Sequence, residues 1–181
     1  KTALRGVLHV ADFGHSVLGG KVMGALARGM HAVGLPLWTP SMPKAYNASK
    51  RVAAAGDSVL KVVYFPSCLN QTMGIDKASE GMKPLAEEMI ELLGKAGYEV
   101  ILPENMDSLC CGTIWESKGL PEIAANKTRQ LEEALWEASE HGKYPVVCDQ
   151  SPCLHRMKQH MTKVELYESA EFIWKFLKDR L

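Results

Sequence analysis

VLKVVYF, residues 59–65, is a nearly unbroken apolar run that ends abruptly at Pro66, Ser67 and Cys68. A run this short, rich in β-branched and aromatic residues, suits a strand covered on both faces, as strands of parallel sheets are. The next stretch changes period. GMKPLAEEMIELLGKAG (81–97) sets Leu85, Met89, Leu92, Leu93 and Ala96 on one helical face, with Gly97 as the stop. YEVILP (98–103) reads as a second strand. A helix around 120–140 follows, with Ile123, Lys127, Leu131 and Leu135 in helical register, then the strand YPVVCD (144–149). A short helix after Pro152 leads to the strand KVELYE (163–168). Ser169 reads as the N-cap of a last helix, AEFIWKFLKDRL (170–181). Four strands alternating with helices predict an α/β domain: a mostly parallel four-stranded sheet, flanked by helices through right-handed crossovers.

Upstream, Val7, Val10, Phe13, Val17, Met23, Leu26, Met30 and Val33 recur at steps dominated by three and four. This reads as a helical segment over 1–35, which Gly19-Gly20 can break in two. GLPLWTPSMPKAYN (34–47) carries Pro36, Pro40 and Pro43 and reads as part of a linker arm over 36–58. The α/β domain is expected over 59–181.

The 181 residues suffice for one ordinary domain with a core. Apolar residues at 46% and charged ones at 23% are globular composition. Lys plus Arg equal Asp plus Glu at 21 each, which argues against a nucleic-acid surface or a polybasic membrane anchor. No apolar run reaches the roughly 18 residues of a membrane span. The opening KTALRGVLHV does not have the shape of a signal peptide. It lacks methionine and already reads as helix, so the expectation is a piece of something larger, with processing or the choice of ends as the alternative. Five cysteines and nine methionines suit a reduced, cytosolic setting better than a disulfide scaffold.

The cysteines carry the chemistry. Cys68 follows the first strand, Cys110 and Cys111 the second, and Cys148 and Cys153 lie at the end of the third. In an open parallel sheet those carboxyl ends share one edge, where ligands bind. Four or five thiols there could hold zinc, an iron–sulfur cluster, or a thiol–disulfide couple. The bland alternative is that cysteines act as small buried hydrophobes. Adjacent thiolates suit a multi-iron cluster better than one tetrahedral ion, because they can reach neighbouring irons. Gly112 would let the backbone pass close to an inorganic core. The sheet is not expected to need Cys110 or Cys111 for packing, since both sit in a loop.

Cys68, Cys110-Cys111-Gly112, Cys148 and Cys153 resemble the cysteine-rich CCG domain found in heterodisulfide reductase and in iron–sulfur components of glycolate oxidase, anaerobic glycerol-3-phosphate dehydrogenase and lactate-utilisation proteins. That pattern is a cysteine, a long gap, CCG, another long gap and CxxC. Here the gaps are 41 and 36 residues, and four residues, not two, separate Cys148 from Cys153. LPLWTPSMPKA (35–45), VVYFPSCLNQTMG (62–74) and SLCCGTIWESKG (108–119) are similar to the C-terminal part of multidomain FAD-linked D-lactate dehydrogenases. The resemblance implies an iron–sulfur cluster of 4Fe–4S type on Cys68, Cys110, Cys111, Cys148 and Cys153, with Cys148 the least secure ligand. It implies FAD on a preceding part of a longer chain, with flavin and ferredoxin-like domains as partners. Electrons would pass to a quinone or another acceptor, in a cytoplasmic protein able to sit peripherally at the inner membrane face. The chain itself shows no dinucleotide-binding pattern: GHSVLGGK (14–21) opens no βαβ unit. A zinc-bound or metal-free docking domain and a thiol–disulfide site stay open as alternatives.

Other residues carry weaker expectations. His9, His15 and His31 read as surface or interdomain groups, and His155 as a substitute ligand at best. Trp115 is expected to pack over the site. Asn70, Gln71 and Thr72 are candidate donors to sulfur. Helix starts after Cys68 and Cys111 would point positive dipole ends at the thiolates.

Overall fold

The computed structural model describes residues 1–50 and 60–180. The expected strand residue Val59, the arm beyond residue 50 and the final Leu181 lie outside the described residues. Four strands form one all-parallel sheet: β1 (Leu60–Phe65), β2 (Tyr98–Ile101), β3 (Val146–Cys148) and β4 (Leu166–Glu168). Their order is β2-β1-β3-β4. The chain therefore steps outward from β1 to β2, then crosses back to place β3 on the other side of β1. Val63 is paired with Ile101 on one side and with Val146 on the other. This reversal between β1 and β3 is the topological switch point, where ligands of open α/β sheets sit.

Alternation along β1 builds two cores from one strand. Val62 and Tyr64 face a layer formed with Ala86, Met89, Leu93, Phe172 and Leu177. Val63 and Phe65 face the opposite layer with Leu131, Leu135, Leu154 and Met157. The first layer is covered by α2 (Leu85–Lys95) and the C-terminal helix, α6 (Ser169–Phe172), which continues as wide π-type turns over Ile173–Leu177. The second is covered by α4 (Pro121–Ala138) and α5 (Ser151–His160). Both faces of the sheet are thus closed, which is why β1 shows no polar alternation.

The N-terminal segment is α1 (Thr2–His31), and Gly19 at φ 75, ψ 161 breaks it into two runs, as the Gly-Gly pair predicted. Val7, Val10, Phe13, Val17, Leu26, Met30 and Val33 all face outward, while Arg5, Leu8 and Ala27 are buried. The arm turns back through Trp38, buried with its ring edge-on to His15 at 4.9 Å, and Ala45 bridges to Met73. The last helix is capped by Glu168, whose carboxylate accepts from the Ala170 N–H, not by Ser169, which is its first helical residue. A carboxylate at a helix start meets both the free N–H groups and the positive end of the dipole. No described helix is long and apolar enough to cross a membrane.

Candidate functional site

The loops at the carboxyl edge are fastened across the switch point. Tyr64, fully buried on β1, donates its hydroxyl to Asp149 Oδ2 at 2.7 Å, and Ser67 N donates to Asp149 Oδ1 at 2.8 Å. One carboxylate, next to Cys148, therefore fixes the start of the loop that carries Cys68. That loop closes on itself: Gln71 N bonds Ser67 O, and Thr72 Oγ1 donates to Cys68 O at 2.7 Å. It is a turn, not the helix start expected after Cys68. Gln71 Nε2 donates to Pro66 O, so Gln71 and Thr72 brace backbone and do not donate to sulfur.

The CCG turn is held from behind. Gly112 sits at φ 96 and caps the short helix α3 (Thr113–Glu116). The Cys111 carbonyl accepts from Arg156 Nε at 3.1 Å, and Thr128 Oγ1 lies 2.8 Å from it. Arg156 is buried and reaches on to pair with Glu116 at the surface. A Cβ at Gly112 would meet Ala124 O at 2.6 Å, Arg156 Nε at 2.9 Å and Thr128 Oγ1 at 2.9 Å. The glycine is required by protein atoms of α4 and α5, not by room for an inorganic core.

All five cysteines are free thiols, and they influence one another electrostatically. Cys111 is the hub. Hydrogen bonds from Cys110 first, then from Cys153, pull its thiol well below the usual range, with Thr113 Oγ1 at 3.2 Å adding to them. The same contact, reinforced by burial, pushes Cys110 and Cys153 up. Burial and then the negative Cys111 raise Cys68, and burial raises Cys148 to about 12. Cys111, Cys148 and Cys153 belong to the second core layer, so Cys111 does pack, against the expectation for a loop residue. Cys153 lies in the first turn of α5.

Cys68 and Cys110 open into a cleft of about 450 Å³, walled by Leu4, Leu69, Ile114 and Trp115. Trp115 thus covers the site as expected. Among the described residues, no three His, Cys, Asp or Glu side chains converge as one bound ion would require. A single zinc ion draws its sulfurs to about 2.3 Å from one point. The donor chemistry fits a multi-iron centre better: soft thiols on one edge, two of them on a cleft wall and Cys111 bonded to two others. His155 does not join them; it is exposed and bonds Gln159.

Two site residues escaped the sequence reading, Lys1 and Arg5. The Lys1 ammonium donates to Gln71 Oε1 at 2.6 Å, Met106 O at 2.5 Å and Leu109 O at 2.7 Å. Arg5 donates to Tyr46 O, to Gln71 O at 3.0 Å and to Asp107 Oδ1 at 2.7 Å. Lys1 at the N-cap of α1 and Arg5 one turn on lie on the same side of the helix start and tie the Cys68 loop to the Cys110 loop. Neither follows from a local pattern, since their partners lie 41 to 108 positions away.

The Arg5 pair has a pH consequence. The hydrogen bond from Arg5 holds the Asp107 carboxyl below its ordinary 3.8. A depressed carboxyl stabilises the fold above its unfolded pKa, and the contribution fades as pH falls through the folded value. Melting temperature should therefore drop as pH is taken below about 4, and Asp107→Asn should flatten that part of the profile. An unchanged profile in Asp107→Asn would show that the pair does not contribute.

No curated protein and no solved structure gave a match to the chain. A family model does match: the CCG cysteine-rich domain, over residues 62–158, more than half of the chain. That span runs from β1 to α5 and takes in all five cysteines, both fastened loops and the CCG turn, so the chain belongs to the CCG cysteine-rich domain family.

Proposed function

We propose that this is an iron–sulfur electron-transfer domain, with Cys68, Cys110, Cys111 and Cys153 as ligands and a 4Fe–4S centre as the cofactor. The observation that carries the reading is the gathering of thiols from two loops and the first turn of α5 at one sheet edge, two of them on the wall of the cleft. Cys148 is fully buried behind them on β3 and serves packing more than ligation. The bound centre would supply one-electron chemistry; the protein's part is to hold it, fix the loops and limit water with Trp115 and the leucines of the cleft. In the larger context suggested by the flanking sequence, the domain would serve a flavin-dependent D-2-hydroxyacid dehydrogenase. It would take electrons from FAD carried elsewhere in that enzyme and pass them to a quinone or another acceptor.

The test is anaerobic reconstitution with ferrous iron and sulfide. The chain should take up iron and sulfide in near-equal amounts, gain broad visible absorbance, and show neither bound flavin nor D-lactate oxidation. Failure to take up iron and sulfide would overturn the reading. A thiol–disulfide site is the second reading, favoured by the hydrogen-bonded, low-pKa Cys111 between two thiols. In that case the metal-free protein, not the reconstituted one, would react rapidly and reversibly with a disulfide reagent.

A further inference from the structure

We infer that Lys1 is a positioning and charge-setting residue of the cysteine site: it clamps the Cys68 and Cys110 loops together and raises the reduction potential of the centre they hold. The inference rests on the iron–sulfur reading above. It starts from geometry. Lys1 Nζ has three oxygens within hydrogen-bond distance: the Gln71 side-chain oxygen and the carbonyls of Met106 and Leu109. Gln71 is oriented by its own Nε2, which donates to Pro66 O. All three neighbours are acceptors only, and three acceptors need three N–H bonds, so the group is an ammonium. These partners are neutral, so among the described residues no direct ion pair cancels the charge. It is partly buried and lines the same cleft as Cys68 and Cys110.

The other cations nearby are not equivalent. Arg5 is matched by Asp107. Lys127 lines the cleft too, but its ammonium makes its bonds in exposed positions, to Gln130 Oε1 at 3.0 Å and Ser108 O at 3.4 Å, where solvent screens it. Reduction of the centre by an external reductant such as dithionite adds one electron and one negative charge, with no bond made or broken in the protein. An unmatched, partly desolvated positive charge beside two ligands stabilises the reduced form. Lys1 is therefore placed to raise the potential, and Asp107, also on the cleft wall, to lower it.

The experiment is an anaerobic redox titration of the reconstituted chain, followed by visible absorbance and electron paramagnetic resonance. Lys1→Met should lower the midpoint potential by the equivalent of about tenfold in the oxidised-to-reduced ratio, about 59 mV for one electron. Lys1→Arg should restore most of it. Asp107→Asn should shift it the opposite way, and Lys127→Met by much less than Lys1→Met. A purely structural clamp would not give shifts of opposite sign. Equal potentials in Lys1→Met and Lys127→Met, or a downward shift in Asp107→Asn, would overturn the inference while leaving the cluster reading intact. A wild-type chain that takes up no iron and sulfide would overturn both.

Discussion

Gly112→Ala is expected to destabilise the metal-free domain by about 2–5 kcal/mol, more than any other single-methyl change at this site. Two effects add. At φ 96 the backbone is left-handed, which costs a residue with a Cβ about 1–2 kcal/mol. The new methyl would also press on Ala124 O at 2.6 Å, a backbone atom of α4 that cannot swing aside. Arg156 Nε and Thr128 Oγ1, both at 2.9 Å, are held by the Cys111 carbonyl they bond. Relief would require the CCG turn to lift off α4 and α5, breaking those bonds. Gly119→Ala is the internal comparison. Gly119 has φ 73, but a Cβ there meets nothing within 4 Å, so it should suffer the conformational cost alone. Urea unfolding of the two variants separates the effects. If Gly112→Ala proves no worse than Gly119→Ala, the crowding argument fails.

The same turn shows where the sequence was informative and where it was not. Strands and helices followed from local period, because each element's apolar residues had to meet one of two closed core layers. The pattern in 59–65 and 81–97 led directly to β1 and α2. The convergence of Cys68, Cys110, Cys111, Cys148 and Cys153 followed from topology, since parallel strands deliver their carboxyl ends to one edge. Reasons for individual residues were harder to read. Gly112 pointed to room for a cofactor, whereas α4 and α5 fill that space. Arg156 carried no local signal, yet it is buried against the Cys111 carbonyl. Lys1 and Arg5 read simply as the start of a helix, yet they clamp both thiol loops. The apolar spacing of α1 marked a helix but not its packing, and most of that stripe faces outward. Each miss involves a pairing across many residues of sequence, for which a single chain carries no periodic signal. Glu168 prevailed over Ser169 as a cap for a related reason: which residue turns its side chain back onto the helix depends on where β4 ends.

Serine in place of each thiol should separate ligation from packing. Cys110 is half-buried on the cleft wall, so Cys110→Ser should melt close to wild type, within about 0.5 kcal/mol, when metal-free. Cys111 is buried among the apolar residues of the second layer. Its replacement puts a more polar hydroxyl into that layer, with Thr113 Oγ1 as a nearby partner, and should cost about 1–3 kcal/mol. Both variants should lose most of the iron–sulfur absorbance on reconstitution, because an alkoxide or hydroxyl is a poor substitute for a soft thiolate on iron. Cys148→Ser should behave in the reverse way. Cys148 is fully buried on the central part of the sheet, and among the described residues its sulfur finds only Gln150 O, at 4.0 Å. The serine hydroxyl there would be left with no close partner, so stability should fall by about 1–3 kcal/mol while the absorbance persists. Full cluster uptake with an unchanged spectrum in both Cys110→Ser and Cys111→Ser would sink the paired-ligand reading of the CCG turn. Loss of the cluster in Cys148→Ser, with the metal-free fold intact, would instead move Cys148 from the core into the ligand set, and with it the four-residue spacing to Cys153 would become part of the cluster geometry.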